Sequence, residues 1–118
     1  MAGTILACGC GDERGTIWHA EAASPSGKYL ARAETIQQGG PGTASVSTEV
    51  KLTQGSSDKG IDILILSHDD MPQPVLNAVT MVWVGDNTLQ LDYLPSSHLE
   101  FKAVRAAGVD IKVAPRSR

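Results

Sequence analysis

Between Thr43 and Leu52 the chain alternates strictly: Ala44, Val46, Thr48, Val50 and Leu52 fall on one face of an extended segment, with Ser45, Ser47, Glu49 and Lys51 on the other. A period of two marks a half-buried strand. In "KYLARAETI" Tyr29, Ala31 and Ala33 oppose Lys28, Arg32 and Glu34, and in "VDIKV" Val109, Ile111 and Val113 share one side. "IDILILS" differs, because both alternating sets are apolar from Ile63 to Leu66. That pattern predicts a central strand covered on both faces.

Turn residues join these segments. "VTMVWVGDNTLQLDY" breaks at Gly85-Asp86-Asn87-Thr88, small polar residues that tolerate the positive φ of a tight hairpin, and Leu89, Leu91 and Tyr93 then share a face. Ser24-Pro25-Ser26-Gly27 has the proline and glycine of a type I turn and predicts a hairpin from "IWHAEAA" to "KYLARAETI". Ser97 and Glu100 have the spacing of a capping box and Gly108 supplies a stop, so one short helix is expected near residues 97–107. Loops are expected at "QQGGPGT", "QGSSDKG" and "HDDMPQPVLN". The fold class that follows is mainly β: an antiparallel sheet curled into a small sandwich or open barrel, with at most that one helix.

A chain of 118 residues is one domain's worth. It divides into a lipobox-like segment and tether (1–15), a β-rich domain (16–115) and a short tail (116–118). The net charge of −3, the absence of a Lys/Arg-rich run and an aromatic content of 4% leave neither a phosphate-neutralising stripe nor a base-stacking platform, so nucleic acid is not an expected partner. No apolar run approaches the ~20 residues of a membrane-spanning helix.

The two cysteines, Cys8 and Cys10, are one glycine apart in "ILACGCG". That spacing is too close for a good disulfide in a regular strand, and a structural zinc site would need two more ligands from a chain with three histidines. "ILAC" followed by the polar, glycine-containing "GCGDERGT" is instead similar to a bacterial lipobox and its tether, with Cys8 as the lipid acceptor. Only seven residues precede Cys8 and none is basic, a departure from a secretory leader.

The segment "SPSGKYLARAETIQQGGPGTASVSTEVKLT", with the later tryptophan, "DNTLQLDY" and "GVDIKV", resembles a family of small uncharacterised bacterial envelope lipoproteins. The resemblance spans roughly residues 16–114 and rests on turn and strand motifs, which carry structure and no chemistry. It implies an envelope location and a lipid-anchored β-domain. "SPSGKYLA" is also similar to one strand pair of a β-propeller repeat, but it occurs once, and a propeller needs several copies.

Of the ionisable groups, His68-Asp69-Asp70 form the cluster that follows a core strand. Neighbours on an extended chain point in opposite directions, so a solvated strand exit is the expected setting. The leading expectation is a non-enzymatic module that binds an envelope protein or a small ligand through its loops, without a cofactor. The loop residues in question are Gln37, Gln38, Gly39, Gly40, Pro41 and Gly42, and His68, Asp69, Asp70, Met71 and Pro72. One alternative is a small hydrolase or metal-dependent enzyme using His68, Asp69 or Asp70 with His19 or His98. Another is a cytoplasmic accessory protein without lipid. Trp18 and Trp83 are expected as core anchors.

Overall fold

The computed structural model describes residues 15–38, 45–55, 59–68 and 75–116. These contain nine strands and no helix. In chain order the strands are β1 (Gly15–Ala23), β2 (Tyr29–Gln38), β3 (Ser45–Gln54), β4 (Ile61–Ser67), β5 (Val79–Trp83), β6 (Thr88–Tyr93), β7 (His98–Lys102), β8 (Arg105–Ala106) and β9 (Val109–Pro115). They build a five-stranded sheet in the order β1-β2-β3-β4-β7 and a four-stranded sheet in the order β5-β6-β9-β8. Leu52, Leu64 and Leu66 of the first sheet and Leu89, Leu91 and Ile111 of the second join one buried cluster, so the architecture is a small β-sandwich.

The first three strands follow the alternation closely. Ala31, Ala33, Val50 and Leu52 are buried on the inner face, paired as Ala31 with Leu52 and Ala33 with Val50. Alanines also pair across β1 and β2, Ala20 with Ala33 and Ala22 with Ala31. Such small side chains leave room for large ones from the facing sheet. Trp83 takes that room: its indole stacks on Tyr29 at 5.9 Å, and its Nε1 donates to the Ala22 carbonyl at 2.9 Å. Trp18 and Trp83 both pack against the main core.

On the outer face the same register lines up Glu21, Arg32, Lys51 and Asp62 across four strands. Arg32 donates to Glu21 at 2.8 Å, and Lys51 pairs with Asp62. The hydrogen bond to Asp62 raises the Lys51 pKa, with the charges of Asp62, Glu49 and Glu34 adding to it. Both pairs are solvent-exposed, so each contributes at most about 1 kcal/mol.

The hairpin turns stand where the turn residues put them. The Gly27 amide donates to the Ser24 carbonyl at 2.8 Å with Gly27 at φ 80°, and the Val84 amide closes the β5–β6 hairpin on the Thr88 carbonyl. The two turns also meet. The Ser26 amide donates to Asp86 Oδ1 at 2.9 Å.

Three expectations need correction. The segment expected as a helix near residues 97–107 is extended: β7 pairs antiparallel with β4, Ile65 opposite Phe101 and Leu66 opposite Leu99, and β8 follows. Leu99, Phe101 and Val104 make no full helical stripe, and an open strand edge satisfies the backbone of this segment instead. Ala107 and Gly108, at φ 51° and 83°, form the β8–β9 turn, so Gly108 ends a strand pairing and not a helix.

Secondly, the apolar continuity of β4 does not come from two covered faces. Val50 pairs with Leu64 but Lys51 with Asp62, which makes Ile63 the extra residue of a bulge. Ile63 and Leu64 are therefore both fully buried, while Ile65 is only half-buried opposite Glu49. Thirdly, Gln37 and Gln38, expected in a loop, are the last residues of β2, paired with Val46 and Ser45. The β6–β9 pair is parallel, because the chain leaves the second sheet after β6, adds β7 to the first, and re-enters through β8.

Candidate functional site

Thr35 and Thr48 occupy inner-face positions of β2 and β3, directly opposite one another. A hydroxyl at such a position needs a buried partner. Each finds one. Their Oγ1 atoms are 2.6 Å apart, and Thr48 Oγ1 lies 2.6 Å from Nε2 of His68. The second imidazole nitrogen, Nδ1, lies 3.0 Å from Ser97 Oγ. Thr35, Thr48 and His68 are all 0% exposed, and Ser97 is half-buried.

The chain geometry that brings these four groups together is simple. Leu64, Leu66 and His68 are alternate residues, so His68 continues the inward set of β4 one step beyond the strand, and its amide is held by the Val46 carbonyl at 2.9 Å. Ser97 arrives through a turn in which its amide donates to the Leu94 carbonyl at 3.0 Å, with Pro95 at the second position. Ser67 and His98 are the last register pair of β4 and β7. The imidazole thus fastens the start of β7 to the end of β4.

This four-residue relay has two self-consistent proton directions. With Nδ1 accepting from Ser97, Nε2–H donates to Thr48 and Thr48 donates to Thr35; reversed, Thr35 donates to Thr48, Thr48 to Nε2, and Nδ1–H to Ser97. Chemically, the first is also the direction in which an imidazole accepts a serine proton.

His68 is therefore corrected from a solvated strand exit to a buried relay residue. The other histidines stand elsewhere. His19 is exposed on the outer face of β1 beside Glu34, on the far side of the sheet from the relay. His98 begins β7 and is exposed. The group brought to His68 is Ser97, expected as a helix cap. Among the described residues there is no cavity and no cluster of three metal-ligating side chains. Cys8, Gly39, Gly40, Pro41, Gly42, Asp69, Asp70, Met71 and Pro72 lie outside the described residues.

No sequence motif marks Thr35, Thr48 or Ser97 as a site residue. The signal for the two threonines was present in the alternation itself, since both sit on the apolar face of otherwise regular strands. Extending the inward set of β4 from Leu66 to His68 would have supplied their partner.

A second feature borders the relay. All five residues of β7 are exposed, including Leu99 at 39% and Phe101 at 44%, and Val104 just beyond is 72% exposed. β7 is the edge of the five-stranded sheet. Compared with protein-family models, curated proteins and solved structures, the chain matches none.

Proposed function

We propose that the chain is a non-enzymatic binding module, tethered to a bacterial envelope membrane by lipid at Cys8 and engaging an envelope protein or small ligand. The observation that carries the binding role is the β7 edge: a strand whose side chains are all exposed, two of them large and apolar, fixed at its start by the His68–Ser97 hydrogen bond. An edge strand offers unpaired backbone groups, and edge pairing is a common route to partner recognition. The tether rests on "ILAC" and the polar, glycine-containing segment after it.

The test of the tether is expression from the gene with its upstream DNA, followed by membrane fractionation and intact mass. Acyl mass on Cys8, with release from the membrane in Cys8→Ser, is the expected result; an unmodified wild-type protein in the soluble fraction overturns the tether.

A second reading, a serine hydrolase, is favoured by the 3.0 Å approach of Ser97 Oγ to His68 Nδ1. A fluorophosphonate probe separates the two. The binding module stays unlabelled, whereas labelling of wild type that disappears in Ser97→Ala establishes a nucleophile and overturns the non-enzymatic reading.

A further inference from the structure

The two sheets of the sandwich present unlike outer faces. On the five-stranded sheet the outward positions of β1 to β4 carry the carboxylates Glu21, Glu34, Glu49 and Asp62 against the cations Arg32 and Lys51. On the four-stranded sheet Met81, Trp83, Tyr93 and Val113 pack against the core, so the residues that alternate with them face out. The register sets Val82 beside Gln90 and Gln90 beside Lys112. Arg105 stands opposite Asp110, and Arg116 donates to Thr80 Oγ1 at 2.9 Å, which brings its guanidinium to the same face. The carboxylates at the outward positions of these strands, Asp92 and Asp110, are engaged within the face, Asp92 by the Gln90 amide and Asp110 by Arg105.

We infer that the outer face of the four-stranded sheet lies on an anionic phospholipid bilayer, with the acidic five-stranded sheet and its β7 edge turned away from the lipid. The inference rests on the tether at Cys8 and says which way the tethered domain faces. Charge complementarity is its first support. Residues 98–118, which supply β8, β9 and Arg116, hold five basic and two acidic residues, whereas residues 1–97 hold five basic and eleven acidic. Such an asymmetry marks the basic part for an anionic surface. An anionic leaflet attracts each Lys or Arg brought against it and repels carboxylates, and the effect fades within about 10 Å. The face in contact therefore decides the orientation, and the four-carboxylate face is the wrong one to set down.

Apolar side chains stand among these cations. Val82 is 48% exposed and Val84, two positions on, 58%. Apolar groups beside Lys and Arg are the chemistry of a surface that sits at the lipid headgroups, the first entering the interface and the second pairing with phosphates. The length of the tether agrees. Six residues, 9–14, separate Cys8 from Gly15, enough at full extension for about 20 Å. Gly15 begins β1, in the sheet turned away from the lipid, and stacked sheets lie about 10 Å apart. A domain resting on its four-stranded sheet is thus within reach of its own anchor. Two valines and three cations make a weak contact, and the tether turns it into an intramolecular one.

The experiment is lysine footprinting on the full chain. A Cys10→Ser chain is coupled through Cys8 to a maleimide phospholipid in vesicles of phosphatidylcholine with phosphatidylglycerol, acetylated with an N-hydroxysuccinimide ester, and compared by mass spectrometry with the same chain in solution. On the anionic vesicles acetylation of Lys112 slows roughly tenfold, while Lys51 on the opposite face and Lys102 on β7 change less than twofold. Vesicles of phosphatidylcholine alone give weaker protection of Lys112. Val82→Asp/Val84→Asp, shown to be folded by circular dichroism, abolishes the protection on anionic vesicles. Lys112 as reactive on anionic vesicles as in solution leaves the face to an acidic protein and overturns the inference, as does protection of Lys51 in its place. The maleimide supplies the anchor, so failure of this footprint counts against the orientation alone, and absence of acyl mass on Cys8 in cells counts against the tether alone.

Discussion

Replacing Thr48 by valine keeps shape and volume but removes the hydroxyl that sits at the centre of the relay. Thr35 Oγ1 and His68 Nε2 both lose their Thr48 partner, each inside a site with no solvent access. Leaving a buried polar group without a partner costs about 1–3 kcal/mol. The new methyl group returns about 1 kcal/mol of apolar burial. Taking about 2 kcal/mol for each of the two groups and subtracting the methyl gives a net loss of about 3 kcal/mol, a large share of the ~5–15 kcal/mol that holds a typical domain folded. Urea denaturation followed by tryptophan fluorescence should show the midpoint falling by about 1–3 M at an unchanged slope.

The single variant alone does not separate hydrogen bonding from packing, and Thr35→Val supplies the control. Thr35 stands at the end of the relay and Thr48 retains His68 when it is removed, so this variant should cost only about 1 kcal/mol. In Thr35→Val/Thr48→Val the stranded Thr35 hydroxyl no longer exists. The double variant should then be less destabilised than the sum of the singles by about 1–2 kcal/mol. A Thr48→Val loss below about 0.5 kcal/mol, or strict additivity, would refute the claim that the hydroxyl chain is an energetic unit.

Three other measurements follow from the same structure. Ala107 is a non-glycine residue at φ 51° ahead of Gly108 at φ 83°; Ala107→Asn, which suits that turn position, should raise stability by about 0.5 kcal/mol in a thermal melt, and a fall would contradict the turn assignment. Trp83→Phe loses the indole bond to the Ala22 carbonyl and should cost about 1–3 kcal/mol by denaturant titration, less than about 0.5 counting against that bond as a link between the sheets. The Asp86 carboxyl is held below the ordinary aspartate range, chiefly by the Ser26 backbone amide and then by the Ser26 hydroxyl. A depressed folded-state pKa stabilises above the unfolded pKa, and that contribution is lost as pH falls through the folded value. The acid arm of Tm against pH should therefore be shallower in Asp86→Asn than in wild type below about pH 4, and parallel arms would show that the bridge between the two turns is not linked to folding.

The parts legible in the sequence are those governed by local pattern. Val46, Thr48, Val50 and Leu52 were placed on the inner face by alternation alone and are buried there, and the Ser24–Gly27 turn was set by its proline and glycine. Long-range competition was not legible. Ser97 and Glu100 offer helix-capping chemistry, yet the edge of β4 claims the following residues, and no local signal registers an unpaired strand elsewhere in the chain. The bulge at Ile63 carries no signature of its own, because an apolar pair looks the same in a bulge and in a doubly covered strand. The burial of His68 is masked for a different reason. Its neighbours Asp69 and Asp70 give it an acidic, loop-like sequence context, whereas the period set by Leu64 and Leu66 places it inside.

The relay and the edge strand are connected by what a hydrogen-bonded core residue can do that an apolar one cannot. Leucine at the position of His68 would bury more hydrocarbon, but hydrophobic contact tolerates a one-residue slip far better than a hydrogen bond does. Thr35 and Thr48 come from β2 and β3 and His68 directly follows β4, and their bonds close only when these three strands hold the observed register. A slip of one residue in β3 would send Thr48 to the charged outer face and break its bond to the imidazole. The last bond, to Ser97, extends the same condition to β7. That strand has little side-chain burial to hold it, since all five of its residues are exposed. Its position depends on backbone pairing with β4 and on the polar anchor at its start. A strand held this way can keep Leu99 and Phe101 in the open without detaching, and an exposed strand that stays in place is what an edge-to-edge partner requires.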